Sequence, residues 1–292
     1  MDGVIVINKP TGRTSHDLVG FCRRLFDIKK VGHTGTLDPD ASGVLPVCIG
    51  KATKAADMLT ASDKAYRAEL VLGMTTDTQD ASGEILTEQP VNVSREDIEK
   101  TVMSFVGEIE QIPPMFSAIK KDGKKLYELA RAGITIEREK RKIKIFDIKI
   151  CEIDMEKESV TIEVACSKGT YIRTLCEDIG IKLGCGAYMN TLVRIKSADF
   201  TLENSFTMED LLKMKENGTL ESALIPVDRL FSEYDKVRLD AFLAGKAKNG
   251  VRIRKKGLTE GNFYRIYDEN DTFLCISKYT GSELVLEKAF WS

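Results

Sequence analysis

The chain has 292 residues, 42% of them hydrophobic and 30% charged, and its formal net charge is −2. That balance is ordinary for a soluble globular protein of one large domain with a small appendage, and it excludes a disordered chain. The opening MDGVIVINKP carries an acid at position 2 and an apolar run of only four residues, too little for a signal-peptide core or a membrane span, so a cytoplasmic protein is expected.

Seven cysteines, at 22, 48, 151, 166, 176, 185 and 275, are odd in number and form no CxxC pair. Reduced, mostly buried thiols fit that pattern better than a disulfide framework. With only His16 and His33 in the chain and no cysteine cluster beside either, no metal site is expected.

In chain order, TSHDLVGFCRRLF near residue 20 predicts an amphipathic helix. The loop GHTGTLDPDASGVLPV (32–47) follows, with glycines at 32, 35 and 43 that permit positive φ or close approach. Pro39 makes Asp38 extended and keeps it out of any helix, so a carboxylate is held rigidly in a loop. Asp-Pro and Ser-Gly are also common turn formers, and the loop by itself assigns no chemistry. GVLPVCIGK is not a phosphate loop: six residues separate Gly43 from Gly50 where four are needed, Ala52 follows Lys51, and Pro46 lacks an N–H. TDTQDASGE (76–84) likewise lacks calcium-loop spacing.

YRAELVLG (66–73) alternates polar and apolar residues and predicts a strand. SREDIEKTVMSFVG (94–107) predicts a helix, with Ser94 and Asp97 at cap spacing, Ile98, Val102 and Phe105 on one face, and Gly107 to end it. RKIKIFDIKICEID (141–154) and SVTIEVACS (159–167) form a hairpin-like strand pair. A helix is expected near residue 180 (TLCEDIGIKLG), a strand at VRIKSADFT (193–201), and a capped helix at TMEDLLKMKENG (207–218). Such ordering predicts an α+β fold, a mixed and largely antiparallel sheet with flanking helices, and not regular βαβ winding. After about residue 230 come short segments separated by turns, VRIRKK, NFYRIYD, TFLCISKYTG and SELVLEKAFW, which predict a small β-rich module.

Charge is unevenly spread. Residues 120–144 carry ten Lys/Arg against four Asp/Glu, residues 246–256 carry six against none, and the remainder stands near −14. A solvated helix face explains many single charge runs; two islands, one free of acids, favour phosphate-binding surfaces.

GHTGTLDPDASGVLPV resembles the signature of the TruB family of tRNA pseudouridine synthases. Four further blocks match in order: VINKPTGRTSHD (6–17), DKAYRAELVLGMTTDTQDASG (63–83), QIPPMFSAIKKDGKKLYELARAG (111–133) and CSKGTYIRTLCEDIGIKLGCGAY (166–188). The resemblance implies a catalytic domain over 1–230 with the pseudouridine synthase fold, an RNA-clasping insertion at 113–142, and a PUA-like RNA-binding domain at 231–292. It implies cofactor-free isomerisation of uridine 55 in the TΨC loop of tRNA, breaking the N-glycosidic bond and rejoining the base through carbon 5. Asp38 matches the catalytic carboxylate, acting as nucleophile at the sugar or the base, or as base at C2′. Arg173 matches the arginine that pairs with it, and Tyr66 the tyrosine that stacks on the everted base, offsetting part of the unstacking cost. His33, Tyr171 and Leu192 match residues at the RNA and the pocket, Lys9 beside Pro10 would brace the catalytic loop at the substrate, and Lys124 and Lys125 of the insertion would meet phosphates. A monomer needing no protein partner, guide RNA or membrane is expected, gripping the T stem-loop and the acceptor end of tRNA. A non-catalytic RNA-binding or RNA-folding module on the same scaffold is the competing expectation.

Overall fold

Alternation at residues 64–72 becomes the spine of the molecule. The structure, a computed structural model, describes residues 1–121 and 123–291. The strand Lys64–Leu72 buries every second side chain and pairs antiparallel with Ser159–Cys166 on one side and Ala187–Ser197 on the other. Among the described residues these belong to a nine-stranded sheet, ordered Gly3–Lys9, Ser42–Ile49, Ala187–Ser197, Lys64–Leu72, Ser159–Cys166, Arg141–Asp154, Gly107–Gln111, with Val31–His33 and Phe200–Thr201 attached. Its one parallel junction joins Ser42–Ile49 to Ala187–Ser197 through Ser42 opposite Val193 and Gly43 opposite Arg194. The sheet is therefore mixed and largely antiparallel, and the fold is α+β.

The helices begin where their caps predict. Thr14 with Asp17, Ser94 with Asp97 and Thr207 with Asp210 each form reciprocal side-chain to backbone hydrogen bonds that satisfy otherwise orphaned N–H groups. The helix expected over 94–107 ends earlier, spanning Arg95–Met103, and Gly107 opens the edge strand instead. The helix near 180 begins earlier than its apolar pattern, at Ile172, so Arg173 falls in its first turn, and Gly184 in the left-handed region ends it at Leu183. It packs with Arg95–Met103 on one face of the sheet, over Ile98, Val102, Ile162, Val164 and Leu175. Helix Ser15–Phe26 covers Ile5, Ile7, Leu45 and Val47.

A second, five-stranded sheet is ordered Asp235–Arg238, Phe263–Tyr267, Phe273–Tyr279, Glu283–Ala289, Ile253–Arg254. Helix Ala241–Lys248, started by the Asp240 cap, was absent from the sequence reading because AFLAGKAK has no contiguous apolar stripe to announce it. This module shares a core with the large sheet: Val227, Phe231, Ile276 and Phe290 pack with Val4, Val6, Val44 and Cys48, and Lys54 Nζ donates to the Trp291 carbonyl at 3.0 Å. All seven cysteines are free thiols and only Cys151 is exposed. Among the described residues no helix is long and apolar enough to cross a membrane.

Candidate active site

The loop 34–41 that carries Asp38 is fastened from three directions. Ser15, first residue of its helix, accepts from the Leu37 N–H at 2.8 Å through Oγ and donates back to the Leu37 carbonyl at 3.1 Å. Lys9, fully buried at the end of the first strand, donates through Nζ to the Pro10 and Pro39 carbonyls at 2.9 and 3.0 Å. Arg194, 1% exposed, donates through Nε to the Val44 carbonyl at 2.7 Å and through Nη2 to the Gly35 carbonyl at 3.2 Å, spanning the loop's two ends. At Gly43, φ is +106° and a Cβ would lie 2.2 Å from the Arg194 carbonyl oxygen, so only glycine fits where the loop enters the sheet.

Asp38 keeps 42% of its side chain open and meets Arg173, only 7% exposed, on its inner side: Nη2 lies 3.1 Å from Oδ2. The guanidinium is fully engaged at its fork. Nη2 also donates to the Phe116 carbonyl at 2.9 Å, while Nη1 faces Asp80 Oδ2 at 3.3 Å and donates to the Thr78 carbonyl at 3.2 Å. Asp80 is pinned in turn, its Oδ1 accepting from Thr78 Oγ1, Ser82 Oγ and the Ser82 N–H at 2.7, 2.6 and 3.1 Å. One cation thus serves two carboxylates.

Desolvation raises the Asp38 pKa above its ordinary value; Arg173 and Lys9 pull it down, and Asp80 and Asp40 add to the rise. Lys9 itself is lowered to about 8, by burial first, with Asp40 and Asp38 opposing. The carboxylate is paired on its inner side and open on the other, an arrangement suited to nucleophilic or basic chemistry.

Tyr66 is buried and stands opposite Arg194 across the strand pair. Burial raises its phenol and the Arg194 charge lowers it. It belongs to one apolar cluster with Leu37, the residue before Asp38, and with Ile172 and Leu192. His33 is half-buried; its Nδ1 accepts from the Gly35 N–H at 3.3 Å, and burial, then Arg194 and His16, lower its pKa, so a neutral imidazole faces the loop. Tyr171 caps the Arg173 helix, its N–H donating to Gln111 Oε1 at 3.1 Å and its carbonyl accepting from Gln111 Nε2 at 3.2 Å.

Lys124 and Lys125 stand apart from this group, on a two-stranded hairpin that pairs them with Lys121 and Lys120. Lys124 is exposed, and Lys125 Nζ donates to the Tyr127 hydroxyl at 3.1 Å and stands over its ring. The insertion's root still reaches the centre, since Phe116 supplies a carbonyl to Arg173.

Sequence reasoning missed Asp80, Gln79, Gln111 and Arg194. Asp80 and Gln79 lie in a segment rejected as a calcium loop and included in the matching block 63–83, and Gln111 in the block 111–133; neither block assigned them a part. Arg194 had a usable signal: it follows Leu192 by two, a charge on the inward face of an alternating strand. Among the described residues no group of three or more His, Cys, Asp or Glu is arranged to hold a metal ion.

Asp38 is thus an ion-paired, half-open carboxylate on a loop fastened by Ser15, Lys9 and Arg194. Residues 23–172 match the TruB family pseudouridylate synthase N-terminal domain, and residues 173–232 the tRNA pseudouridylate synthase B C-terminal domain. The tRNA pseudouridine synthase B of Clostridium perfringens strain 13 is 44% identical over 294 residues, covering 99% of this chain and 98% of that protein. That of Alkaliphilus oremlandii is 50% identical over 253 residues, 87% of this chain and 83% of the relative. Among solved structures, a chain of a Cbf5-Nop10-Gar1 complex superposes with a TM-score of 0.74 at 29% identity, covering 99% of this chain and 85% of that one. A chain of an H/ACA RNP bound to a substrate RNA containing 2′-deoxyuridine gives 0.73 at 26%, with the same coverage. The chain belongs to the TruB family of pseudouridylate synthases.

Proposed function

We propose that the protein is an isomerase that converts uridine 55 in the T loop of tRNA to pseudouridine without a cofactor. The observation that carries this reading is the Asp38–Arg173 pair, 3.1 Å apart, with the carboxylate open on its other side. The reaction breaks the bond from N1 to C1′, forms one from C5 to C1′, and moves the C5 hydrogen to the ring nitrogen, so no atom or electron is gained or lost. What the chain must supply is an ionised oxygen at the sugar or base, a site that holds the turned base, and a group near C5. Asp38 supplies the first, with Arg173 and Lys9 opposing the rise in its pKa that desolvation brings. Tyr66 and Leu192 supply the floor, with the Tyr66 hydroxyl as the group for the C5 proton, while Tyr171 and His33 line the rim.

Residues 1–230 act as the catalytic domain. The lysines at 120, 121, 124 and 125 in the insertion 113–142 meet phosphates of the T stem-loop, which holds the RNA without reading it. Residues 231–292 act as a PUA-like domain that grips the acceptor end through the basic run at 246–256. The long insertion favours a cytoplasmic, stand-alone monomer over a guide-RNA-dependent assembly. Incubating the purified protein with an unmodified tRNA transcript and mapping pseudouridine chemically tests the reading. Conversion at position 55 with nothing else added is expected; an unmodified transcript overturns it.

A further inference from the structure

Between the two groups that hold Arg173 Nη1 lies a residue with no part in the reaction as described. Thr78 and Asp80 flank Gln79, whose φ of 64° places a side-chain-bearing residue in the left-handed region. Such a conformation persists where the surroundings over-determine it. They do so here: the Gln79 N–H donates to the Thr76 carbonyl at 3.2 Å, and its carbonyl accepts from the Met189 N–H at 3.0 Å. With the main chain so held, the side chain is directed onto helix Ile172–Leu183. Oε1 accepts from Thr174 Oγ1 at 2.8 Å, and Nε2 donates to the carboxylate of Glu177. Thr174 and Glu177 are three apart and share a helix face, and Thr174 directly follows Arg173.

We propose that Gln79 is a positioning residue for the isomerisation, fastening the Thr78–Asp80 loop to the helix that carries Arg173 and so fixing the guanidinium that faces Asp38. The inference rests on Asp38 and Arg173 being the reacting pair. Nη1 is committed to the Thr78 carbonyl and Asp80, which leaves Nη2 for Asp38 and the Phe116 carbonyl. The Thr78–Ser82 segment is rigid within itself through Asp80 Oδ1, so it moves against the helix as one piece, carrying Arg173 Nη1 with it, unless a further link joins the two. Gln79 joins them with both ends of its amide. A carboxamide can accept from a hydroxyl through its oxygen and donate to a carboxylate through its nitrogen at once.

Gln79→Leu keeps the volume and removes both hydrogen bonds. Misplacing a reacting group by about 1 Å costs about 100-fold, so the single-turnover rate should fall about 10- to 100-fold while tRNA affinity changes less than about twofold. The acid limb of the rate should move to higher pH, because Asp38 is faced by Arg173 from the helix, Lys9 from the first strand, and Asp80 and Asp40 from the loops, and the main cation opposing its protonation is loosened. Gln79→Glu alone sets a second carboxylate against Glu177, whose nearby charges are Arg138 and Asp178, and should be slow. Gln79→Glu with Glu177→Gln reverses the hydrogen bond, leaves Thr174 its acceptor, and should recover the rate to within about threefold of the parent.

A folded Gln79→Leu protein with a rate within twofold of the parent overturns the proposal. So does a loss without movement of the acid limb, or a double variant no faster than Gln79→Glu. If Gln79→Leu does not fold, the comparison of Gln79→Glu with the double variant decides the question alone. Asp38→Asn is measured alongside: turnover there defeats the underlying reading, whereas an inactive Asp38→Asn beside an unimpaired Gln79→Leu defeats only this inference.

Discussion

Replacing Arg173 by methionine removes the cation from both Asp38 and Asp80 while retaining an apolar stem. At 3.1 Å and an effective dielectric of about 20, the pair with Asp38 has a Coulomb energy of about 5 kcal/mol. Asp38 is 42% open to water, which screens the pair and leaves about 2–3 kcal/mol. If that amount supports the reacting carboxylate, single-turnover pseudouridine formation on tRNA slows about 30- to 150-fold. Affinity for tRNA should stay within about threefold, because Arg173 is buried and its fork is taken up by Asp38, Asp80 and two carbonyls. The lost pairing of Asp80 and of the Thr78 and Phe116 carbonyls should also destabilise the fold by about 3–5 kcal/mol, so rates are read well below the variant's melting temperature. A folded variant that keeps more than about a third of the parental rate refutes the reasoning.

Asp38→Asn should be at least as stable as the parent at pH 7. The raised folded pKa means folding disfavours the ionised form, a cost relieved as pH falls through that pKa toward about 3.9, so the advantage should vanish near pH 4; melts at both pH values check this, and a less stable variant at pH 7 contradicts it. Gly43→Ala should lose at least about 2 kcal/mol in denaturant unfolding, together with its activity, since the added carbon meets the Arg194 carbonyl at 2.2 Å with φ at +106°; a parental midpoint would mean the loop yields. Lys124→Gln with Lys125→Gln should weaken tRNA binding and reduce the salt slope by about 1.4 to 1.8, and an unchanged slope removes the hairpin from the interface.

What could be read from the sequence was what its neighbours along the chain decide. Ser94 with Asp97 and Thr207 with Asp210 announce helix starts because a cap needs only the next three residues. The pair 141–154 and 159–166 is a local hairpin with alternating faces, and both strands lie where the pattern puts them. Arg173 and Asp38 are 135 positions apart, and only the ordered matching blocks joined them. Where pairing is long-range and carries no such block, nothing local signals it. Gly43 opposite Arg194 joins strands 151 residues apart, and it explains why the loop needs its third glycine. Asp80 lies in the matching block 63–83, yet nothing beside it in the chain shows that its second oxygen reaches a guanidinium 93 residues away. Arg194 looked like an ordinary strand charge; burial with two carbonyl acceptors makes it a clasp.

Whether one ionised oxygen of Asp38 drives the isomerisation is decided by single-turnover conversion of tRNA with Asp38→Asn. The substitution preserves shape and leaves Arg173 paired with Asp80 and the two carbonyls. Unaltered tRNA binding and no pseudouridine at position 55 on any accessible timescale are expected if the Asp38 carboxylate has that role. Pseudouridine formed by the folded variant at a measurable fraction of the parental rate contradicts it.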